Sequence, residues 1–223
     1  MSRALVLAVV LTLVLAVPVL AQDEGPAATV TAAPSLIGPT GAIVTPTTEL
    51  PPLKGFNVGY HWLNNTLDTS AKLNATPIDK LELGVTWYDP ADPTLDQETL
   101  FSAKYLLVKE EGNNPAVAVG VWDIADDVDQ TFYGVISKGF NLKGEVPITV
   151  NLGGGSGDML DGFFGSVKLA LHEDVDVIGE YDSSELNFGL RLRPYQNLTV
   201  DLITVDNRVD REFGAGLAYT ATW

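Results

Sequence analysis

Ser166, His172 and Asp176 are residues of this 223-residue chain whose types and closeness could support catalysis. A serine activated by a histidine, which a carboxylate orients, carries acyl transfer in many enzymes. The surrounding pattern is that of a β-strand, on which Ser166 and His172 share a face but lie about 20 Å apart. These side chains cannot touch, so the sequence predicts that the protein is not an enzyme. The alternative is another serine that meets His61 or His172 through the fold.

Metal and cofactor chemistry has little support in the sequence. The chain holds two histidines and no cysteine, which argues against a zinc site. Two groups of acidic residues could bind calcium but lack the spacing of a dedicated calcium loop. They are Asp89, Asp92 and Asp96, and Asp126, Asp127 and Asp129. Solvation and repulsion between molecules are the alternative role. We therefore predict no metal and no cofactor.

The elements that would position these residues alternate with a period of two. From Phe56 onward, segments of about ten residues are separated by Gly, Asp, Asn and Pro, as in a chain of short strands. In the first segment one face carries Phe56, Val58, Tyr60 and Trp62, while the other carries polar or small residues. Segments 116–124 and 131–142 show no clear face.

Alternation by itself fits either a soluble or a membrane barrel. A membrane barrel turns its apolar face to lipid and encloses its charges. An export signal, aromatic residues near strand ends and an aromatic last residue favour the membrane. The sequence thus predicts an all-β, antiparallel up-and-down transmembrane barrel of about twelve strands. In this count Gly41–Thr47 is the first strand, residues 56–64 run toward the periplasm, and residues 65–79 form a periplasmic connection.

If the phase of each strand is right, charges of both signs point into the lumen. Such a mixed set can line a water-filled pore, or can pair across a narrow interior and close it. We favour the second interpretation. The predicted lumen-facing residues are Glu82, Lys104, Lys168, His172, Asp176, Glu180, Arg191, Arg193, Asp201 and Glu212.

The beginning of the chain predicts export. Arg3, the apolar run that follows it and the small residues before Gln22 are typical of a cleaved signal peptide, although a retained anchor is an alternative. Without Arg3, 12 of the 13 basic residues remain against 29 acidic ones, a net charge of −17, which argues against nucleic acid as a partner. We predict a signal peptide at 1–21, a flexible leader at 22–36, a barrel at 37–223 and location in the outer membrane.

The end of the chain is the predicted assembly signal. Phe213, Leu217, Tyr219 and Trp223 lie on one face of the last strand, and the chain ends on this aromatic residue. This arrangement resembles the terminal signal by which the outer-membrane assembly machinery recognises its clients. We predict that machinery and the lipid bilayer of the outer membrane as partners.

The segment Pro34–Glu49, with the sequence PSLIGPTGAIVTPTTE, carries a family resemblance. With the later pieces at 135–140 and 186–194, it resembles the YjbH-type, exopolysaccharide-associated outer-membrane proteins. The matching residues are Gly38, Gly41, Thr45 and Pro46, and the alternative is ordinary turn chemistry at a strand entrance.

The resemblance implies a link with surface polysaccharide as a further partner. The predicted function is a structural or passive pore role in the outer membrane. The alternative is a soluble exported barrel that binds an apolar ligand.

Overall fold

The computed structural model describes residues 32–223 except 66, 91–93, 95, 143–145, 158 and 207–209. The chain forms short strands, as the period-two pattern predicts. The strands are β1 (Gly55–Leu63), β2 (Leu67–Ile78), β3 (Leu81–Pro90), β4 (Glu98–Val108), β5 (Ala116–Trp122), β6 (Thr131–Leu142), β7 (Val146–Ser156), β8 (Gly162–His172), β9 (Val175–Tyr181), β10 (Leu186–Tyr195), β11 (Leu198–Asp206) and β12 (Arg211–Thr222).

The twelve strands close into one antiparallel barrel. Each strand pairs with its neighbours in sequence, and β1 pairs with β12, from Gly55 opposite Thr222 to Leu63 opposite Gly214. Closure leaves no unpaired sheet edge among these strands. The predicted fold class, a closed antiparallel barrel of about twelve strands, is confirmed. Within the described ranges, no helix has the length and hydropathy of a membrane-spanning segment.

The wall presents apolar side chains outward and polar or small ones inward. On β1, Val58, Tyr60 and Trp62 are exposed, whereas Asn57 and His61 are buried. On β12 the exposed Leu217 and Tyr219 alternate with buried Ala218 and Thr220. The outward faces of β1 and β12 thus match the prediction, because successive side chains of a strand point to opposite faces.

Aromatic side chains gather near both ends of the barrel. One end of the barrel, the loop end, is where β1 ends and β2 begins; the other, the turn end, is where β2 ends and β3 begins, and antiparallel pairing places the later strand ends at these two ends in alternation. Exposed aromatics near the loop end are Trp62, Trp87, Phe101, Phe132, Phe163, Phe188 and Phe213, and those near the turn end are Tyr105, Tyr195, Tyr219 and Trp223. Bands of aromatic residues at two levels are typical of a barrel that crosses a bilayer.

The prediction was wrong about the first strands. Residues 41–47 do not belong to the wall, and residues 67–78, predicted as a periplasmic connection, form β2. The direction of β1 is also opposite to the prediction, because its first residue, Gly55, lies beside Thr222 at the turn end. Two errors cancelled, so the strand number remained correct.

Residues 32–51 lie inside the barrel, and we call this segment the plug. It folds through its own backbone bonds, including Leu36 N to Ile43 O at 2.6 Å and Ala42 N to Thr45 O at 2.9 Å. Prolines at 39 and 46 lack the N–H that a regular strand needs, which favours these turns. The last residues of the predicted leader, 32–36, therefore belong to the plug and are buried in the lumen. The predicted signal peptide at 1–21 and the rest of the leader at 22–31 lie outside the described residues.

Candidate functional site: the plugged lumen

The carboxylate of Glu180 on β9 binds backbone groups of the plug. It accepts hydrogen bonds from the N–H groups of Ile43 (2.9 Å), Val44 (2.8 Å) and Thr45 (3.0 Å), and from the Thr45 hydroxyl at 2.7 Å. Consecutive N–H groups that converge on one anion form a nest. Because Glu180 is buried, these donors replace the water that its charge would otherwise require.

Two wall residues of opposite charge bind the backbone N–H and C=O groups of Thr40 in the plug. Its N–H donates to Glu82 Oε1 on β3 at 2.9 Å, and its carbonyl accepts from Lys104 Nζ on β4 at 2.8 Å. Glu82 and Lys104 also form an ion pair at 3.2 Å. The pair is buried, and the plug backbone gives each of its members one hydrogen bond, which offsets part of the cost of burying the two charges.

A second buried network crosses the lumen and returns to the plug. Lys72 Nζ donates to the carbonyls of Ser35 (2.9 Å) and Leu36, and contacts His61 Nδ1 at 2.8 Å. His61 Nε2 lies 3.3 Å from Asp201 Oδ2. The network thus joins β1, β2 and β11 to the beginning of the plug.

Arg191 completes that network. It binds both oxygens of Asp201, at 2.8 and 3.0 Å, and donates to the carbonyls of Gly41 (3.2 Å) and Ala42 (2.8 Å). We call the set of ionisable wall residues that bind the plug or one another here the clamp: His61, Lys72, Glu82, Lys104, Glu180, Arg191 and Asp201.

The opposite side of the lumen is apolar. Trp122 packs over Gly38 so closely that a Cβ on this glycine would lie 2.4 Å from the indole, and Trp122 Nε1 donates to Ile37 O at 3.1 Å. The plug residues Ile37 and Leu50 pack against this surface. We call it the apolar sector: Ala118, Trp122, Tyr133, Val135 and Phe164.

Other wall strands add polar contacts near the clamp and the apolar sector. Lys168 on β8 pairs with Glu49 of the plug at 2.6 Å, and Ser137 on β6 accepts from Thr48 N at 3.3 Å. Thr220 on β12 donates to Ala32 O at 3.4 Å. The plug is therefore bound around the circumference of the barrel, and the described part of the lumen is occupied by the chain itself.

The structure buries most of the predicted lumen charges and draws them into contacts. Glu82, Lys104, Lys168, Glu180, Arg191 and Asp201 hold the plug directly or through a partner, and Glu212 Oε2 accepts from Asn65 N at 3.2 Å. Asp176 is buried and pairs with Arg193, whose side chain is 11% exposed, at 2.5 Å. Arg193 thus lies at the rim.

His172 was predicted to face the lumen, and this was wrong. Its side chain is 63% exposed beside the 173–174 turn. The pairing of β8 with β9 shifts register between Ala170 and His172, so the alternation of faces breaks before His172. A bulge of this kind has no clear signature in the sequence.

Lys72 and Trp122 are site residues that the sequence did not single out. Lys72 lies on β2, which was assigned to a connection. Trp122 lies in segment 116–124, whose face was unclear because both of its faces are apolar. For Lys72, the available signal was that polar residues of this segment alternate with small residues, such as those at 71 and 75.

The residues considered for catalysis are separated. Ser166 is buried and accepts from Asn151 Nδ2 at 2.9 Å, His172 is exposed, and Asp176 is paired with Arg193. His172, Glu173 and Asp174 place ligand atoms within 4.8 Å of one another, but Arg193 Nε donates to the Glu173 carbonyl at 3.1 Å and places a cation beside the group.

The predicted assembly residues lie on the outer surface of the last strand. Phe213, Leu217, Tyr219 and Trp223 are all exposed. The Trp223 ring stacks on Phe56 with centroids 6.2 Å apart, and Trp223 N donates to Lys54 O at 2.9 Å. The last residue is therefore tied to the first strand. Its recognition by the assembly machinery stays a prediction.

Comparison with known proteins finds similarity at the level of structure alone. No family model and no curated protein matches the chain. Solved structures similar to it include a KdgM porin (10% identity, 74% of this chain and 98% of that chain, TM-score 0.49) and a NanC porin (10%, 75% and 99%, TM-score 0.47). A mutant porin of Rhodopseudomonas blastica is 14% identical over 69% of this chain and 55% of that chain, with a TM-score of 0.35. The strand pairing of this chain is what defines its fold, and the YjbH-type assignment stays a prediction.

Proposed function

We propose that this protein is a small outer-membrane barrel with a structural or passive pore role, whose lumen the plug keeps closed. The observation that carries the proposal is the inverted wall: apolar side chains outward and buried charges inward. A soluble barrel would bury its apolar face and expose its charges.

The outer surface has the chemistry of a lipid contact. Exposed residues such as Val119, Ile136 and Leu202 would present a large apolar area to water in a soluble protein, which soluble monomers rarely do. Lys138 is a cation next to outward-facing residues of β6, and its charge is paired: its ammonium lies 3.0 Å from the Glu110 carboxylate, beside the turn end. The aromatic bands would lie at the two bilayer interfaces.

The role of the plug follows from its contacts. Wall side chains bind its peptide groups rather than solvent, and buried charges that lost these partners would have to find others. We therefore expect the barrel to be closed in the state described, and a pore to exist only when the plug is displaced.

Membrane location is tested by fractionation of cells and flotation with lipid vesicles. The proposal expects the protein in the outer-membrane fraction, flotation with vesicles, and gel migration that changes on heating. The soluble alternative expects recovery from the periplasm without detergent, and that result would overturn the proposal. Absence of catalytic activity belongs to the same proposal and is tested by assay against model esters.

A link with surface polysaccharide is the finer part of the proposal and rests on the family resemblance. The matching residues lie within the plug, where Gly41 bridges to Pro46 and Thr45 binds Glu180. The test is the amount of surface polysaccharide on cells that lack the protein. An unchanged amount would contradict the link and would leave the barrel proposal intact.

A further inference from the structure

We infer that His61 is an acid-sensitive latch for the plug: protonation of its imidazole sets it against Lys72 and loosens the plug at Ser35 and Leu36. The inference rests on the proposed function and adds its regulation. It is carried by the geometry of four buried side chains and two carbonyl groups.

The first step concerns the hydrogen between Lys72 and His61. Lys72 Nζ lies 2.9 Å from Ser35 O, also contacts Leu36 O, and lies 2.8 Å from both Ser70 Oγ and His61 Nδ1. A lysine ammonium has three donors and no acceptor, so Lys72 shares its N–H groups among these partners, and the Ser70 hydroxyl donates in turn to Leu36 O. His61 Nδ1 therefore accepts from Lys72, and the ring proton lies on Nε2, directed at Asp201 Oδ2.

The second step concerns what an added proton would meet. A proton on Nδ1 would place an N–H against the Lys72 ammonium at 2.8 Å, where only one hydrogen can be shared. The charged groups facing His61 are Lys72 on β2, Asp201 on β11 and, behind Asp201, Arg191 on β10. Asp201 already binds Arg191 through both oxygens, so it offers an added positive charge little further compensation.

The third step leads to the plug. The His61 ring cannot move easily toward β12, because it already packs on Gly216 of that strand. A Cβ added to Gly216 would lie 2.2 Å from His61 Cδ2. Lys72 has the longer and more flexible side chain and would be the group displaced. Its displacement removes the donor from the Ser35 carbonyl and leaves the Leu36 carbonyl with the Ser70 hydroxyl alone, while the contacts of Glu180 and Arg191 with residues 41–45 remain. The plug would loosen first at residues 35–36.

The test is conductance of the full chain in a planar bilayer at about pH 7.5 and about pH 3.5. The wild type is expected to raise its open fraction at least about tenfold in acid. His61→Gln keeps an acceptor but cannot take the proton, so it should stay closed at both pH values. His172→Gln changes the other of the two histidines, which is exposed, and should respond as the wild type does.

A second measurement covers the case in which His61→Gln alters the barrel. The chain has no cysteine, and among the described residues the Ser35 hydroxyl has no hydrogen-bond partner, so Ser35→Cys is a mild reporter. In acid, a water-soluble thiol reagent should label this cysteine faster in the protein with His61 than in the protein with His61→Gln, whereas at neutral pH the two rates should be equal. Comparing the two backgrounds cancels the intrinsic pH dependence of the thiol.

The outcomes separate the latch from the proposed function. If a variant lacking residues 33–49 conducts at neutral pH but the wild type stays closed in acid, the latch is wrong and the plugged barrel stands. An equal acid response of wild type and His61→Gln also overturns the latch. If no variant conducts or inserts, the proposed function itself fails.

Discussion

The clamp and the apolar sector line the same lumen and bind the same plug, but they do so through different chemistry. The clamp contacts backbone N–H and C=O groups of residues 35–45, as Glu180 does at three successive peptides. The apolar sector packs against side chains, with Trp122 over Gly38 and Ile37 beside it.

The difference teaches what each side specifies. Hydrogen bonds to peptide groups fix the path of the plug whatever its side chains are, and each buried charge is costly if it loses its partner. Apolar packing depends on the volume of particular side chains and tolerates small adjustments. The path of the plug should therefore depend mainly on the clamp, and its fit on the apolar sector.

The largest expected effect is the loss of a clamp cation. Arg191→Met leaves Asp201 buried with His61 alone and leaves the Gly41 and Ala42 carbonyls without their donor, so the free energy of unfolding should fall by about 3–5 kcal/mol. Urea titration followed by gel migration measures it. The control, Arg211→Met, breaks an exposed pair with Asp206 and should cost no more than about 1 kcal/mol. Equal losses would show that the clamp has no special weight.

An intermediate effect is expected from removing the charge that holds the nest. Glu180→Gln keeps one acceptor oxygen but turns an amide donor toward backbone N–H groups, which should destabilise the protein by about 1.5–3 kcal/mol. Limited proteolysis should also cut the plug sooner. Glu173→Gln, at the exposed turn between β8 and β9, is the matched control and should leave both readouts unchanged.

A smaller effect is expected on the apolar side. Gly38→Ala pushes a methyl group into the Trp122 ring and should cost about 1–3 kcal/mol by overpacking. Gly134→Ala adds the same methyl group where nothing lies within 4 Å, and should change stability by less than about 0.5 kcal/mol. The two variants are compared by thermal unfolding in detergent. A larger loss in Gly38→Ala than in Arg191→Met would reverse the ranking of the two regions.

The smallest effect on stability is expected at Trp223, which touches neither region of the lumen. Its stacking on Phe56 contributes about 0.5–1.5 kcal/mol, but its predicted role is in assembly. The amount of protein reaching the outer membrane should fall from wild type to Trp223→Phe, and further in Trp223→Asp and in the deletion. Equal amounts in all four would contradict the terminal-signal hypothesis.

The same contrast explains what the sequence could predict. Strands whose inner face carries polar residues, such as β10 with Asn187 and Arg191, alternate clearly and were predicted with the correct face. In β5 both faces are apolar, because the inner one packs on the plug, so the pattern lost its contrast. In β2 the outer face is weak: Leu73 is flanked by alanines at 71 and 75.

The plug itself could not be predicted from local pattern. Its segment Gly41–Thr47 reads as a short apolar strand, but Ile43 is buried because it packs with Leu36 of the plug on Ile178 and Ile203, two wall residues distant in sequence. The sequence shows each charged residue that binds the plug. It does not show that these residues converge on residues 35–45, because their convergence depends on closure of the barrel. The sequence therefore predicted the wall better than its contents.

Conductance in a planar bilayer, measured at neutral pH on the full chain and on a variant lacking residues 33–49, tests closure by the plug most directly. The closed-barrel account predicts insertion of both proteins, negligible conductance of the full chain and steady open channels from the variant. Steady open channels from the full chain, or a variant that inserts as a folded barrel and does not conduct, would contradict it.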